Sequence, residues 1–94
     1  MKNKKKKFSS PLDKGIAKYV EILFAAGIET YESCEGGEGH SYKEPTICFH
    51  GERSEGFRAL AVALQHGLPV SSIRRVWRIE ELEPVGPDWE MVFY

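Results

Sequence analysis

The chain has 94 residues, which suffice for one small domain but leave no room for a second hydrophobic core. Its hydrophobic fraction of 41% and charged fraction of 29% are ordinary for a globular protein, so a wholly disordered chain is not expected. The formal net charge is only −1, yet five of the thirteen basic residues lie between Lys2 and Lys7. The rest of the chain has eight basic residues against fourteen acidic ones and carries about −6.

This charge distribution predicts a disordered basic tail over residues 1–9, followed by a single domain over residues 10–94. No apolar segment follows the lysines, as a signal peptide requires, and no apolar run approaches the roughly 18 residues of a membrane span. We therefore expect a cytoplasmic protein with no membrane contact. The Lys2–Lys7 tail could touch phosphate weakly, but the acidic domain opposes binding to nucleic acid.

The first predicted helix spans residues 11–26. Ser10 fits its N-cap, Pro11 its first helical position and Asp13 the acidic position of a capping box. Gly27 follows the apolar stripe and predicts a left-handed C-cap, which would end this helix.

The second predicted helix spans residues 54–66 and ends in the same way, with Gly67 followed by an apolar residue and then by Pro69. Its apolar residues recur at helical spacing. The residues expected on its buried face are Phe57, Leu60, Ala61 and Leu64.

Short apolar and β-branched segments predict four strands. They are expected at residues 28–34, 45–50, 72–80 and 89–94, with a proline- and glycine-rich turn at 84–88. The element order is α-β-β-α-β-β, which predicts an α+β fold. We expect a four-stranded, mainly antiparallel sheet with both helices on one face and the other face open.

Side chains alternate between the two faces of a strand, so the apolar positions indicate which face is buried. Ile47 and Phe49 are expected to point toward the helices, and Tyr31 is expected to do so from the first strand. The open face is then expected to carry Glu32, Cys34, Cys48, His50 and at least one arginine.

The loop between the first two strands combines three glycines with acidic side chains and a histidine. An acidic surface of this kind suits a basic protein partner. We therefore predict a non-enzymatic binding protein that contacts another protein through the loop at 35–44 and the open sheet face. The predicted contact residues are Glu32, Cys34, Glu35, Gly36, Gly37, Glu38, Gly39, His40, Cys48 and His50.

A zinc-binding module is the first alternative hypothesis, with zinc as its cofactor. Cys34, His40, Cys48 and His50 supply the ligand types and number of a structural zinc site. However, such sites usually contain two ligands in a close knuckle, and no Cys-x2-4-Cys pair is present. The side chains of Cys48 and His50 would also stand about 7 Å apart on one extended strand.

A small enzyme with Cys34 as its nucleophile is the second alternative. His40 or His50 could act as the base, and the amides of the glycine run could hold an anion. The neighbouring carboxylates of Glu35 and Glu38 oppose this role, because negative charge raises the pKa of a thiol.

The C-terminal segment Trp89–Tyr94 alternates large apolar residues, which predicts that Trp89, Met91 and Phe93 pack in the core. The same strand could instead lie at an edge of the sheet and pair with another chain. A homodimer through this C-terminal strand is therefore a further expectation.

Three segments, GIETYESCEGGEGH, EPTICFHGE and GFRALAVALQHGLPV, resemble a family of small uncharacterised proteins from bacteria and their prophages. The resemblance covers about residues 27–94, and the run through Cys34, Gly36, Gly37, Gly39 and His40 is its most specific part. It implies a bacterial or phage-encoded accessory protein of the cytoplasm, with a host protein as a possible partner. No catalytic residue is carried over from this family.

Overall fold

The structure is a computed structural model that describes residues 14–94. The predicted tail at 1–9 and the capping residues Ser10, Pro11 and Asp13 lie outside the described residues. The elements are α1 (Lys14–Ala25), β1 (Thr30–Cys34), β2 (Thr46–Phe49), α2 (Arg53–Gln65), β3 (Val70–Glu80) and β4 (Glu83–Phe93). The predicted α+β class and element order are confirmed. Neither described helix is long and apolar enough to cross a membrane.

The sheet consists of two hairpins joined edge to edge. Its strand order is β1-β2-β4-β3, and each neighbouring pair is antiparallel. Both helices pack against one face, where they share a single core with the sheet. The residues of that core include Ile16, Val20, Leu23, Ile47, Phe49, Ala59, Ala63, Trp89, Met91 and Phe93.

Both helices end as predicted, at a glycine with a left-handed backbone. Gly27 has a φ of 86° and Gly67 a φ of 71°. The amide of the following apolar residue, Ile28 or Leu68, donates back to Leu23 O or Ala63 O at 3.0 Å. This is the bonding pattern of a Schellman cap, and it buries the apolar residue against the core.

The predicted buried face of α2 is wrong for Phe57, Ala61 and Leu64, whereas Leu60 packs against the core as predicted. Gly56, Ala59 and Ala63 face the sheet, whereas Phe57 and Leu64 are more than half exposed. The reason is the indole of Trp89, which lies directly under Gly56 and leaves no room for a Cβ atom there. Small residues therefore face the sheet at this crossing, and Phe57 and Leu64 are turned outward.

The predicted start of the last strand is also wrong. β4 begins at Glu83 rather than at residue 89, and the turn lies at Glu81–Leu82, where both residues have positive φ. The prolines and glycine at 84–87 are accommodated because this part of β4 pairs only with β3. A register shift between Val76 and Arg78 absorbs one extra residue of β4 there.

The C-terminal strand is not an edge of the sheet. Residues 89–92 of β4 pair with β2 on one side and with β3 on the other. The expected dimer contact through this strand is therefore blocked within the chain itself. The predicted packing of Trp89, Met91 and Phe93 in the core is confirmed. The free edges of the sheet are β1, β3 and the part of β4 before residue 89, which pairs with β3 alone.

The contact between Gly56 and Trp89 can be tested with Gly56→Ala, because helix propensity and steric overlap change the free energy of unfolding in opposite directions. Helix propensity alone predicts that Gly56→Ala stabilises the protein by roughly 0.5–1 kcal/mol. We expect the opposite, a loss of about 1–3 kcal/mol, because the added methyl group overlaps the buried indole. Urea unfolding of the two proteins measures the difference, and a stabilised variant would contradict the packing described here.

Candidate functional site

Asp88 connects three side chains that are far apart in the sequence. Its carboxylate is 4% exposed. One oxygen lies 2.8 Å from His50 Nδ1. The other accepts a hydrogen bond from the Tyr31 hydroxyl at 3.0 Å and lies 2.9 Å from a guanidinium nitrogen of Arg78. This group, called here the Asp88 cluster, consists of Tyr31, His50, Arg78 and Asp88.

The Asp88 cluster lies on the sheet face opposite the helices, because Asp88 alternates with the core residue Trp89. The expectation that Tyr31 points toward the helices is therefore wrong. A register shift between Thr30 and Glu32 in β1 turns Tyr31 to the open face. There its ring stacks on that of His50, with centroids 4.3 Å apart and planes 16° apart.

The charges of the cluster support one another. Burial alone would raise the pKa of Asp88, but the hydrogen bonds from His50 and Tyr31 and the charge of Arg78 hold it below its ordinary value. The pKa of Tyr31 moves the other way. Burial raises it to about 12 and Asp88 adds to the rise, although the hydrogen bond from Arg78 opposes it. At neutral pH Asp88 is therefore a carboxylate and Tyr31 a neutral hydroxyl donor.

His50 is the exposed member of the cluster, with 66% of its side chain accessible. Because Nδ1 is occupied by Asp88, the imidazole is oriented in one direction. An open depression of about 330 Å³ lies beside it, at the N-terminus of α2. It is lined by Glu29, His50, Gly51, Glu52, Ser54 and Glu55.

A second group of polar side chains surrounds Cys48 on the same face. Cys48 is fully buried, and its sulfur lies 3.3 Å from the Tyr42 hydroxyl of the loop. Glu32 and Glu90 flank it through the paired strands. Burial raises the pKa of Cys48 to about 11, and the two carboxylates add to this effect, although the hydrogen bond with Tyr42 lowers it. Burial also raises the pKa of Tyr42, so both groups are protonated at neutral pH.

The loop at 35–44 is held against the sheet by its own hydrogen bonds. The amide of Gly36 donates to Cys34 Sγ at 3.4 Å, and that of Gly37 donates to Lys43 O at 2.9 Å. Gly36 has a φ of 86°, and a Cβ atom there would collide with the backbone of Glu44. The glycine is thus required by a close approach of two chain segments rather than by flexibility.

The predicted contact residues fall into two groups, one buried and one exposed. Cys34 and Cys48 share the open face as expected, but the structure buries both, so neither is presented to a partner. The exposed predicted residues are Glu32, Gly37, Glu38, Gly39, His40 and His50, with Glu35 and Gly36 partly exposed. The arginine expected on this face is present twice, as Arg74 beside Glu90 and as Arg78 beside Asp88.

The four predicted zinc ligands have separate surroundings. Cys48 contacts Tyr42, His50 contacts Asp88, and His40 lies 4.0 Å from a carboxylate oxygen of Glu35. Among residues 14–94, the structure forms no group of three or more histidine, cysteine, aspartate or glutamate side chains arranged to hold a metal ion.

Asp88, Tyr31 and Arg78 were not predicted to form one site. Tyr31 and Asp88 are 57 residues apart, and no spacing rule connects them. The sequence did place an aspartate, Asp88, directly before the alternating segment that starts at Trp89. An aspartate that becomes buried there needs hydrogen-bond or charge partners, and this was the indication of a site.

No protein-family model, curated protein or solved structure matches this chain.

The Asp88 cluster predicts a pH-dependent contribution to stability. At pH 7 we expect Asp88→Asn to lower the free energy of unfolding by about 1–3 kcal/mol, because three donors lose a charged acceptor. The folded-state pKa of Asp88 lies below its unfolded value. Its contribution is therefore complete above about pH 4 and is lost as the pH falls through the folded pKa.

Urea unfolding between pH 7 and pH 2.5 measures this difference, with Glu83→Gln as the control at an exposed acid of the same strand. The curves of Asp88→Asn and the unmutated protein should converge in acid. A gap that stays constant over this range would contradict the proposed role of the charge.

Burial of the thiols predicts slow chemical labelling. With a pKa of about 11, Cys48 has roughly 100-fold less thiolate at pH 7.5 than a free cysteine. We expect an aromatic disulfide reagent to label Cys48 more than about 100-fold more slowly than free cysteine. Tyr42→Ala should accelerate labelling and Ser41→Ala should not. Fast labelling of the unmutated protein would show that the loop does not cover this thiol.

Proposed function

We propose that this chain is a small non-enzymatic binding protein that contacts a basic protein partner. The proposed contact surface is the outer side of the 35–44 loop together with exposed His50 and the acidic depression beside it. The observation that carries the proposal is the attachment of the acidic loop to the sheet through Tyr42 and Cys48.

Attachment matters because binding costs less entropy when a loop is already held in its bound shape. Tyr42 anchors the C-terminal part of the loop, and the hydrogen bond from the Gly37 amide to Lys43 O joins its two sides. Glu38 and Glu44 remain exposed on its outer side. The loop therefore presents carboxylates from a supported backbone.

A second set of acidic side chains lies at the opposite end of β1 and β2, at the start of α2. The depression beside His50 contributes Glu29, Glu52 and Glu55, of which Glu55 is paired with Arg58 at 3.0 Å. Arg74 and Arg78 are also paired with carboxylates of this chain. The surplus negative charge of the domain is thus available to attract a lysine- or arginine-rich partner.

Burial of both thiols favours binding over cysteine chemistry. A nucleophilic cysteine needs accessible thiolate and electropositive surroundings. Cys48 has instead a raised pKa and two neighbouring glutamates, and Cys34 is buried at the start of the loop. The resemblance to small bacterial and prophage proteins fits an accessory role in the cytoplasm, with a host protein as the partner.

Charge reversal in the loop tests the proposal. The immobilised full chain is used to capture proteins from a lysate of the source cells, and the captured protein is then purified and titrated by calorimetry. We expect the double variant Glu38→Lys, Glu44→Lys to bind at least about 5-fold more weakly, with a smaller salt dependence.

The matched control is the double variant Glu21→Lys, Glu83→Lys, which has the same net charge but changes exposed positions on α1 and β4. Equal weakening by both double variants would indicate a general charge effect. Unchanged affinity of the loop variant would refute the proposed surface.

A further inference from the structure

Large apolar side chains are exposed on α2, on β3 and in the turn that follows β3. Phe57 and Leu64 of α2 are 58% and 57% exposed, and Trp77 and Ile79 of β3 are 59% and 68% exposed. Leu82, in the turn that follows β3, is 95% exposed. These five residues, called here the β3-side patch, lie on neighbouring elements, because α2 packs against β3. Apolar groups gathered in this way indicate a surface that another protein covers.

The strand beside this patch is a free edge of the sheet. β3 pairs with β4 on one side, and its other side has no partner among the described residues. Ile73 packs against the core and Arg75 lies over the Trp89 ring, so odd-numbered residues point to the helix face. Trp77 and Ile79 continue this series beyond the area that the helices cover. The edge therefore offers both backbone hydrogen-bonding groups and apolar side chains.

We propose that a second copy of this chain covers the β3-side patch, with the two β3 strands paired antiparallel about a two-fold axis through Trp77. The pairing joins the two sheets into one of eight strands with four helices on the same face. A contact of this type is self-complementary, since each copy contributes the same residues. The proposal stands independently of the function proposed for the acidic loop.

Charge along β3 selects this register. Across a two-fold axis at Trp77, Arg74 stands opposite Glu80 of the second copy, and the interaction occurs twice. An axis at Val76 would instead place Arg74 opposite Arg78, and an axis at Arg74 or Arg75 would place identical arginines opposite each other. Like charges directly opposite destabilise paired strands. A fifth axis, at Arg78, would again oppose identical arginines, so of the five registers that place Trp77 opposite a residue of β3 only the one centred on Trp77 avoids such a repulsion.

The same register gives contacts to three residues of the β3-side patch, Phe57, Trp77 and Ile79. The two Trp77 side chains meet at the axis on the helix face. Ile79 lies opposite Arg75 of the second copy, whose guanidinium is 5.2 Å from the centroid of its own Trp89 ring. Phe57 is also beside that ring, at 6.2 Å between centroids. Ile79 of one copy therefore comes to the level of Phe57 in the other, and each covers apolar surface that a monomer leaves in water.

Sedimentation equilibrium of the full chain tests the association. We expect a species of twice the chain mass, and we expect Trp77→Glu to halve this mass. The control is Lys18→Glu at an exposed position of α1, which should leave the dimer intact. Circular dichroism checks that the variants fold, and because Trp77 is exposed, its replacement should not disturb the core.

Disulfide formation tests the register. With Trp77→Cys, two cysteines meet at the axis, and mild oxidation should give a covalent dimer in high yield. With Val76→Cys, the new thiol faces Arg78 of the second copy, and the yield should be at least about 10-fold lower. The native thiols are buried, and the unmutated protein serves as the background.

A dimer that Trp77→Glu disrupts and Trp77→Cys cross-links would support the proposal. A monomer at all concentrations, a dimer that Trp77→Glu leaves intact, or preferential cross-linking of Val76→Cys would overturn it.

Discussion

The contact between Trp89 and the first turns of α2 determines how the two layers of this protein fit together. The indole nitrogen donates to the carbonyl oxygens of Gly51 and Glu52, each at 3.1 Å, and so holds the chain where the helix begins. The ring lies beneath Gly56, where a side chain would collide with it. These contacts set both the position of α2 and its rotation about its own axis. The exposure of Phe57 follows from this rotation.

Asp88, the residue before Trp89, holds several elements together on the opposite face of the sheet. Asp88 points away from the helices and holds His50, Tyr31 and Arg78 at the end of the sheet where β3 and β4 extend beyond β2. The other end of that face is covered by the 35–44 loop through Tyr42. This face is therefore only partly open: the thiols of Cys34 and Cys48 are buried, and the imidazole of His50 is accessible. This division favours recognition through charge and shape over chemistry at a cysteine.

Local patterns in the sequence predicted the helices and strands of this fold. The buried face of α2 and the composition of the Asp88 cluster depend instead on contacts between residues far apart in the sequence. The glycine caps were predictable because a cap such as Gly67 depends on its immediate neighbours alone. The buried face of α2 was not predictable from local sequence, because two sets of residues recur at helical spacing, one large and apolar and one small. The contact with Trp89 places the small set, Gly56, Ala59 and Ala63, against the sheet. The turn at Leu82 carries no glycine or asparagine despite its positive φ, so it gave no recognisable pattern. The Asp88 cluster joins residues from three strands and the β2–α2 connection, one of them displaced by a bulge.

We propose that a second copy of this chain pairs with the free edge of β3 and covers the apolar residues beside it. Amide hydrogen exchange along β3, followed by nuclear magnetic resonance, tests it residue by residue. In a lone edge strand, amides that point toward β4 are protected and the alternate ones exchange rapidly. Pairing about Trp77 predicts that both sets are protected between residues 74 and 80, and that Trp77→Glu abolishes protection of the outward set. Rapid exchange of the outward amides in the unmutated protein, at concentrations where it is most associated, would contradict the account.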